Sequence, residues 1–146
     1  MNAERGQPDF MAVAIAQAKK AERNGDVPVG CVIVRGSKII AVGRNCKEKK
    51  QNAINHAEIV AIRRACRKLR SWRLCDCEMY VTLEPCIMCI GAILSARIKK
   101  VIIGATANVS YLELLTQNNL NWKTEAEIKN DSTCHNILID FFARKR

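Results

Sequence analysis

The chain is 146 residues long and 49% hydrophobic, enough apolar surface for one domain with one core and too much for whole-chain disorder. No apolar run approaches the roughly 20 residues of a membrane-spanning helix. Lys and Arg outnumber Asp and Glu by 24 to 14, a net charge of +10, which suits a polyanion (nucleic acid or an anionic membrane) as well as it suits a plain solvated surface.

Met11, Ala14, Ile15 and Ala18 share one side of a helix predicted over 9–23. The stretch FMAVAIAQA has the apolarity of a weak leader core, but acids precede it and its period is helical, so a soluble, cytoplasmic chain is expected. NGDVPVG, 24–30, breaks the helix with turn residues. β-branched runs at 29–34 and 39–42 flank RGSK and predict a hairpin; a polar loop over 43–53 follows. A helix over 55–70 is expected to bury Ile59, Ile62, Cys66 and Leu69 and to turn its arginines outward. A strand at 79–83 leads to Pro85, which suits the first position of a helix because its missing N–H has no partner to lose there; that helix runs to Ser95. A strand at 100–104, a helical turn at 111–115, a fifth strand within NWKTEAEI and a closing helix over 131–143, capped by Asp131 or Ser132, complete the order. Helices interleaved with the later strands imply an α/β sandwich with helices on both faces, and no repeat or linker divides 1–146 into more than a single domain.

The basic residues are unevenly placed along this order. Arg35, Lys38, Arg44, Lys47, Lys49 and Lys50 face only Glu48, Arg63 to Arg73 holds six cations and no acid, and the chain ends Arg144-Lys145-Arg146. No segment joins bulky apolar and basic faces as an interfacial anchor does, so no membrane partner is expected.

Eight cysteines in a chain that can build its own core read as reduced thiols rather than a disulfide framework. Cys31, Cys66 and Cys134 fall in apolar patterns and read as small core residues. Cys46 reads as a loop thiol, and Cys75 and Cys77 as a C-x-C pair too isolated for a metal. The pair in LEPCIMCIGA, Cys86 and Cys89, is open to four readings: a redox pair, half of a structural zinc site, two core thiols, or two ligands of a catalytic metal. Two thiolates alone do not complete a zinc site. Of the two histidines, His135 has no ligand-like neighbours and reads as a surface or packing residue. His56 opens the 55–70 helix in NHAEIV, with Glu58 two residues on. Cys86 and Cys89, at i and i+3, face one side of their helix, near an N-terminus whose dipole favours thiolate. One His and two Cys leave a fourth tetrahedral position for water, the arrangement of a catalytic zinc that brings water's pKa towards neutrality. Glu58 is a poor extra ligand but a well-placed proton carrier; its plain reading is a first-turn acid that stabilises the helix.

H-x-E followed by P-C-x-x-C is the signature of zinc-dependent nucleoside and nucleobase deaminases. The likeness extends further. VPVGCVIV, GRN eleven residues before His56, NHAEIVAIR, MYVTLEPCIMCIGAILSARI and IDFFARKR resemble the bacterial tRNA adenosine deaminases, over 10–146 and most densely over 27–104. The resemblance implies a cytidine-deaminase-like fold, a three-layer α/β/α sandwich around a mixed sheet of about five strands, a homodimer, and conversion of adenosine to inosine at the wobble position of a tRNA anticodon. It implies one Zn2+ per chain on His56, Cys86 and Cys89, with Glu58 carrying protons from the water to the purine ring and the departing ammonia. It also implies that Asn45 hydrogen-bonds the target nucleoside, that Val27, Pro28 and Leu83 form pocket walls, and that Glu84 either shapes the turn into the cysteine helix or contacts substrate. Phe141, Phe142, Arg144 and Arg146 fall where the family's terminal helix meets the RNA stem-loop.

The chain departs from that pattern after Gly104. The family has there a loop with an aspartate, a lysine and several glycines; ATANVSYLELL is shorter, lacks glycine, and puts Ala107 where the aspartate is expected. Asn55 replaces the small apolar residue common before the histidine. The departure leaves the zinc chemistry intact and bears on substrate choice. Three readings follow. The first is deamination of adenosine in tRNA or other structured RNA, where phosphate contacts position and a pocket reads the base; the aromatics available to stack an extruded base are Trp72, Tyr111, Trp122, Phe141 and Phe142. The second is an enzyme on a free base, nucleoside or nucleoside-like antibiotic, favoured by the short loop. The third is a zinc-stabilised RNA-binding subunit without turnover, against which Glu58 argues. A redox C-x-x-C protein is disfavoured, because no thioredoxin-like strand and helix surround the pair.

Overall fold

The structure, a computed structural model, describes residues 8–145. Helix α1 (Phe10–Arg23) is capped by Asp9, whose carboxylate accepts the Ala12 N–H. A hairpin of β1 (Gly30–Arg35) and β2 (Lys38–Arg44) follows. The connection that the sequence presents as a polar loop holds a single helical turn, α2 (Lys47–Lys50). Then come α3 (Ala57–Leu69), β3 (Glu78–Leu83), α4 (Ile87–Ser95), β4 (Lys100–Ala105), a 3₁₀ turn (Leu112–Leu115), β5 (Glu125–Ile128) and α5 (Ser132–Arg144).

The five strands form one mixed sheet in the order β2-β1-β3-β4-β5. β1 is antiparallel to both β2 and β3, whereas β3, β4 and β5 run parallel. Strand alternation divides the core in two. Cys31, Ile33, Met79, Val81, Val101 and Ile103 point to the face covered by α3 and α4, where they meet Ala57, Ala61, Ala65, Ile90 and Ile93. Val32, Val34 and Ile102 point to the other face, against Phe10, Met11 and Ala14 of α1 and Cys134 of α5. The α/β/α layering expected from the sequence is the one observed. Among the described residues, no helix is long and apolar enough to cross a membrane.

Two glycines let helices settle close to the sheet. A Cβ at Gly30 would overlap the α1 backbone at Ala14 and Ala18, and one at Gly43 would overlap the α3 backbone at Ala57 and Ala61. This close approach corrects the buried face expected for α3. Glu58, Val60 and the small residues Ala57, Ala61 and Ala65 are the ones buried, the alanines because only small side chains fit between α3 and β2. Ile59, Ile62, Cys66 and Leu69 are left half-buried at the helix flank. Pro85 also differs from its expected place: α4 begins at Ile87 with Cys86 as its N-cap, so the proline directs the chain into the cap rather than opening the helix. Cys31 and Cys134 are core thiols as expected, while Cys66 is half-buried. Trp122 and Tyr111 pack against the core, and the Trp122 indole N–H donates to the Ile98 carbonyl at 2.9 Å. Both rings are half-buried by this packing.

Candidate metal and active site

The helices α3 and α4 start at the same end of the sheet, beyond the carboxyl end of β3. His56 is the N-cap of α3 and Cys86 the N-cap of α4, both with extended backbone. Each side chain therefore points off its helix end instead of lying along its flank. Cys89 sits one turn into α4 and is fully buried. His56 Nδ1 lies 3.6 Å from Cys86 Sγ and 3.7 Å from Cys89 Sγ. The three donor atoms all fall within 4.8 Å of one another, and among the described residues no other such group of His, Cys, Asp or Glu is found. Metal–nitrogen bonds of about 2.0–2.1 Å and metal–sulfur bonds of about 2.3 Å subtend an N···S separation of about 3.6 Å at the tetrahedral angle. The spacing and the N,S,S donor set both fit one borderline-soft ion with a position left open.

The electrostatics favour a cation in that position. Burial raises the Cys89 thiol well above its ordinary value, and the nearby Glu58 and Cys86 add to it. Burial outweighs the helix-dipole stabilisation of thiolate expected at this terminus. Burial lowers His56, helped by the Lys47 charge, and keeps a lone pair on its ring. Glu58, only 3% exposed, is pushed by burial from 4.5 to about 7, although hydrogen bonds from its own backbone and the Cys89 thiol hold it back. The site thus has two sulfurs, a carboxyl and a neutral imidazole with no positive side chain inside the cluster. A carboxyl poised near neutrality can take up and release a proton at little cost.

A cavity of about 630 Å³ opens over this cluster, lined by His56, Glu58 and Cys86 on its floor and by Val27, Asn45, Leu83, Glu84, Phe141 and Phe142 on its walls. Its size is that of a small-ligand or nucleoside pocket. Of the wall residues singled out from the sequence, Pro28 is buried behind the surface and does not line the cavity. The Asn45 amide does two structural tasks: its Oδ1 accepts the Ala57 N–H at 2.8 Å, and its Nδ2 donates to the Val27 carbonyl at 3.1 Å. It ties the first turn of α3 to the loop after α1. One N–H and one lone pair of the amide remain for a bound molecule. Glu84, 5% exposed, accepts the Ala107 N–H at 3.0 Å through Oε1, while Oε2 is buried without a protein partner. This bond fixes the altered loop after β4 to the turn that introduces the cysteines. Phe141 and Phe142 meet edge to face, with ring centroids 5.3 Å apart; the first is buried and the second is 50% exposed. Arg144 is paired with Glu22 of α1, away from the group of residues lining the cavity. Arg146 lies outside the described residues.

In the sequence Asp26 stands only as one of the turn residues of NGDVPVG. It is 2% exposed, and its carboxylate accepts the backbone N–H groups of Glu48 and Lys49 at 2.8 and 3.2 Å. It pins α2 against the cavity, whose rim includes Lys47 and Glu48. An aspartate between a glycine and an apolar run gives no sign of a partner 22 residues on, so neither it nor the helical turn it holds was legible.

The model of the MafB19-like deaminase family matches residues 6–146. The tRNA-specific adenosine deaminase of Aquifex aeolicus is 39% identical, over 97% of this chain and 97% of its own. A solved tRNA:A34 deaminase superposes with a TM-score of 0.83 at 33% identity, covering 88% of this chain and 98% of its own. The guanine deaminase of Bacillus subtilis superposes with a TM-score of 0.65 at 40% identity, covering 73% and 66%. Fold and site together define a deaminase of the cytidine-deaminase-like architecture. Within that class, the chain belongs to the family of the bacterial tRNA-specific adenosine deaminases.

Proposed function

We propose that this chain, as one deaminase domain over 1–146, converts adenosine to inosine in RNA, at the wobble position of a tRNA anticodon. The convergence of His56, Cys86 and Cys89 beside a buried Glu58 carries the reading. His56 Nδ1 and the Cys86 and Cys89 sulfurs would hold one Zn2+ per chain, and the ion would supply the Lewis acidity that brings water's pKa towards neutrality. Glu58 takes a proton from the attacking water and delivers it to the purine ring nitrogen beside C6. It then passes the second proton to the exocyclic amino group, which leaves as ammonia. One water is consumed, and inosine and ammonia are formed. Val27 and Leu83 sandwich the base, the remaining polar positions of Asn45 hold it, and the free oxygen of Glu84 accepts from the sugar or base. Phe142, half exposed at the mouth, offers a stacking face to a neighbouring nucleotide.

The same reading includes a homodimer in the cytoplasm. The dimer is supported by the groove between α3 and α4, lined by Ile59, Ile62, Arg63, Cys66, Trp72, Ala92, Ser95 and Ala96, where Trp72 is 53% exposed. A second reading, deamination of a free purine base, is favoured by the likeness to a guanine deaminase and by the loop 105–115, which lacks the family's acid. Incubation with tRNA bearing A at the wobble position and, separately, with free purines and nucleosides distinguishes them. Inosine in the tRNA, with ammonia released, supports the first; ammonia from free guanine alone replaces it with the second.

A further inference from the structure

On the far side of α2 from the catalytic cavity lies a second concavity of about 410 Å³. It is lined by Cys46, Lys50, Asn52, Asn55, Val60, Arg63, Arg64 and Arg67. Four of these residues are cations and none is an acid. The wall between the two cavities is α2 itself: Lys47 borders the catalytic mouth and Lys50 the groove. That wall is fixed, because the buried Asp26 carboxylate holds the N–H groups of Glu48 and Lys49 and the Asn52 N–H closes back on the Lys47 carbonyl at 3.0 Å. Arg64 is held as well, its guanidinium donating to the Val42 carbonyl at 3.0 Å on the edge strand β2. Lys50, Arg63 and Arg67 make no ion pair among the described residues, and their heads are exposed.

We infer that this groove binds the phosphate backbone of the RNA substrate, at nucleotides outside the anticodon loop, while the reacting nucleotide occupies the catalytic cavity. The inference rests on the function proposed above and extends it to a surface remote from the reacting base. A chain that leaves the catalytic cavity over the ridge of Lys47, Lys49 and Lys50 meets a second row of cations, with no carboxylate in the groove to repel it. Sequence-independent contacts of this kind position a nucleic acid without reading it. The groove accounts for Arg63, Arg64 and Arg67 of the basic run, which the chemistry of the site does not use.

The test is the salt dependence of binding to an unmodified tRNA transcript with A at the wobble position. Each phosphate neutralised adds about 0.9 to the steepness of log K against log salt for a duplex. The double variant Lys50→Gln/Arg67→Gln is expected to bind with a slope shallower by about 2 than the unaltered protein. Lys38→Gln/Lys99→Gln removes the same charge at the opposite end of the sheet and is expected to leave the slope unchanged. Equal melting temperatures for all three proteins confirm that each is folded, as four exposed side chains predict. A slope in the groove variant equal to that of the unaltered protein, or an equal loss in the control, overturns the inference alone. Absence of salt-dependent tRNA binding by the unaltered protein overturns the RNA reading together with it.

Discussion

Glu58→Gln separates the fold's demands on this residue from those of the chemistry. Burial holds the Glu58 carboxyl at about 7 against 4.5 for the free side chain, so the fold disfavours the carboxylate by about 3 kcal/mol. Because the folded value is raised, the folded chain keeps the proton more tightly than the unfolded one. Stability is full below 4.5, falls as pH rises from there to about 7, and stays level above it. Glutamine has the same shape and no charge to lose. In chelator-treated protein unfolded with urea, the variant is expected to match the unaltered protein near pH 4.5 and to exceed it by about 3 kcal/mol near pH 8. In metal-loaded protein the same change keeps the metal and lowers turnover by about 10²–10⁴-fold, the usual contribution of a positioned acid–base group. A stability difference that does not vary with pH would mean that the carboxyl is not buried as described. Retained turnover would remove it from the proton path.

Three further perturbations test the neighbouring geometry. Cys86→Ala leaves two donors where three are required, and both metal content, read by elemental analysis, and turnover are expected to disappear; full metal occupancy would show that another side chain completes the site. Asn45→Ala removes the acceptor for the Ala57 N–H and is expected to cost about 1–2 kcal/mol in chemical denaturation, as loss of a helix cap does, besides raising KM; an unchanged midpoint would show that the bridge to α3 carries no load. Gly43→Ala places a Cβ 2.7 Å from the Ala61 backbone nitrogen and is expected to destabilise by about 1–3 kcal/mol through overpacking; a variant as stable as the parent would mean that α3 stands further from β2.

The residues of the candidate site were the most legible part of the chain. His56, Glu58, Cys86 and Cys89 carry their identity in residue type and local spacing, and helix starts are readable from neighbouring turn and strand residues. What spacing does not give is which flank of a helix is buried. The apolar bulk of Ile59 and Ile62 pointed to the wrong side of α3, because Gly43 on a distant strand decides how close the helix comes. The same limit hid Asp26 and α2, whose bonds join residues more than twenty positions apart. In α5, the family likeness puts Phe141, Phe142 and Arg144 against an RNA stem-loop; that the two rings line the cavity and that Arg144 pairs with Glu22 depend on how α5 lies against the rest of the fold, which no local pattern records. For 105–115 the sequence marked a departure; its packing, with Leu115 buried and Ala107 bound to Glu84, comes from tertiary contacts.

The double duty of Asn45 restricts how this enzyme can change. An amide that braces the helix presenting the imidazole, and also borders the cavity, cannot be exchanged for another side chain to accept a different base without slackening the scaffold beneath it. The segment after β4 is joined to the cavity wall mainly through one backbone N–H, a tie indifferent to side-chain identity. Divergence in what the pocket accepts is therefore channelled into that segment, where the sequence departs from the pattern of the family it resembles.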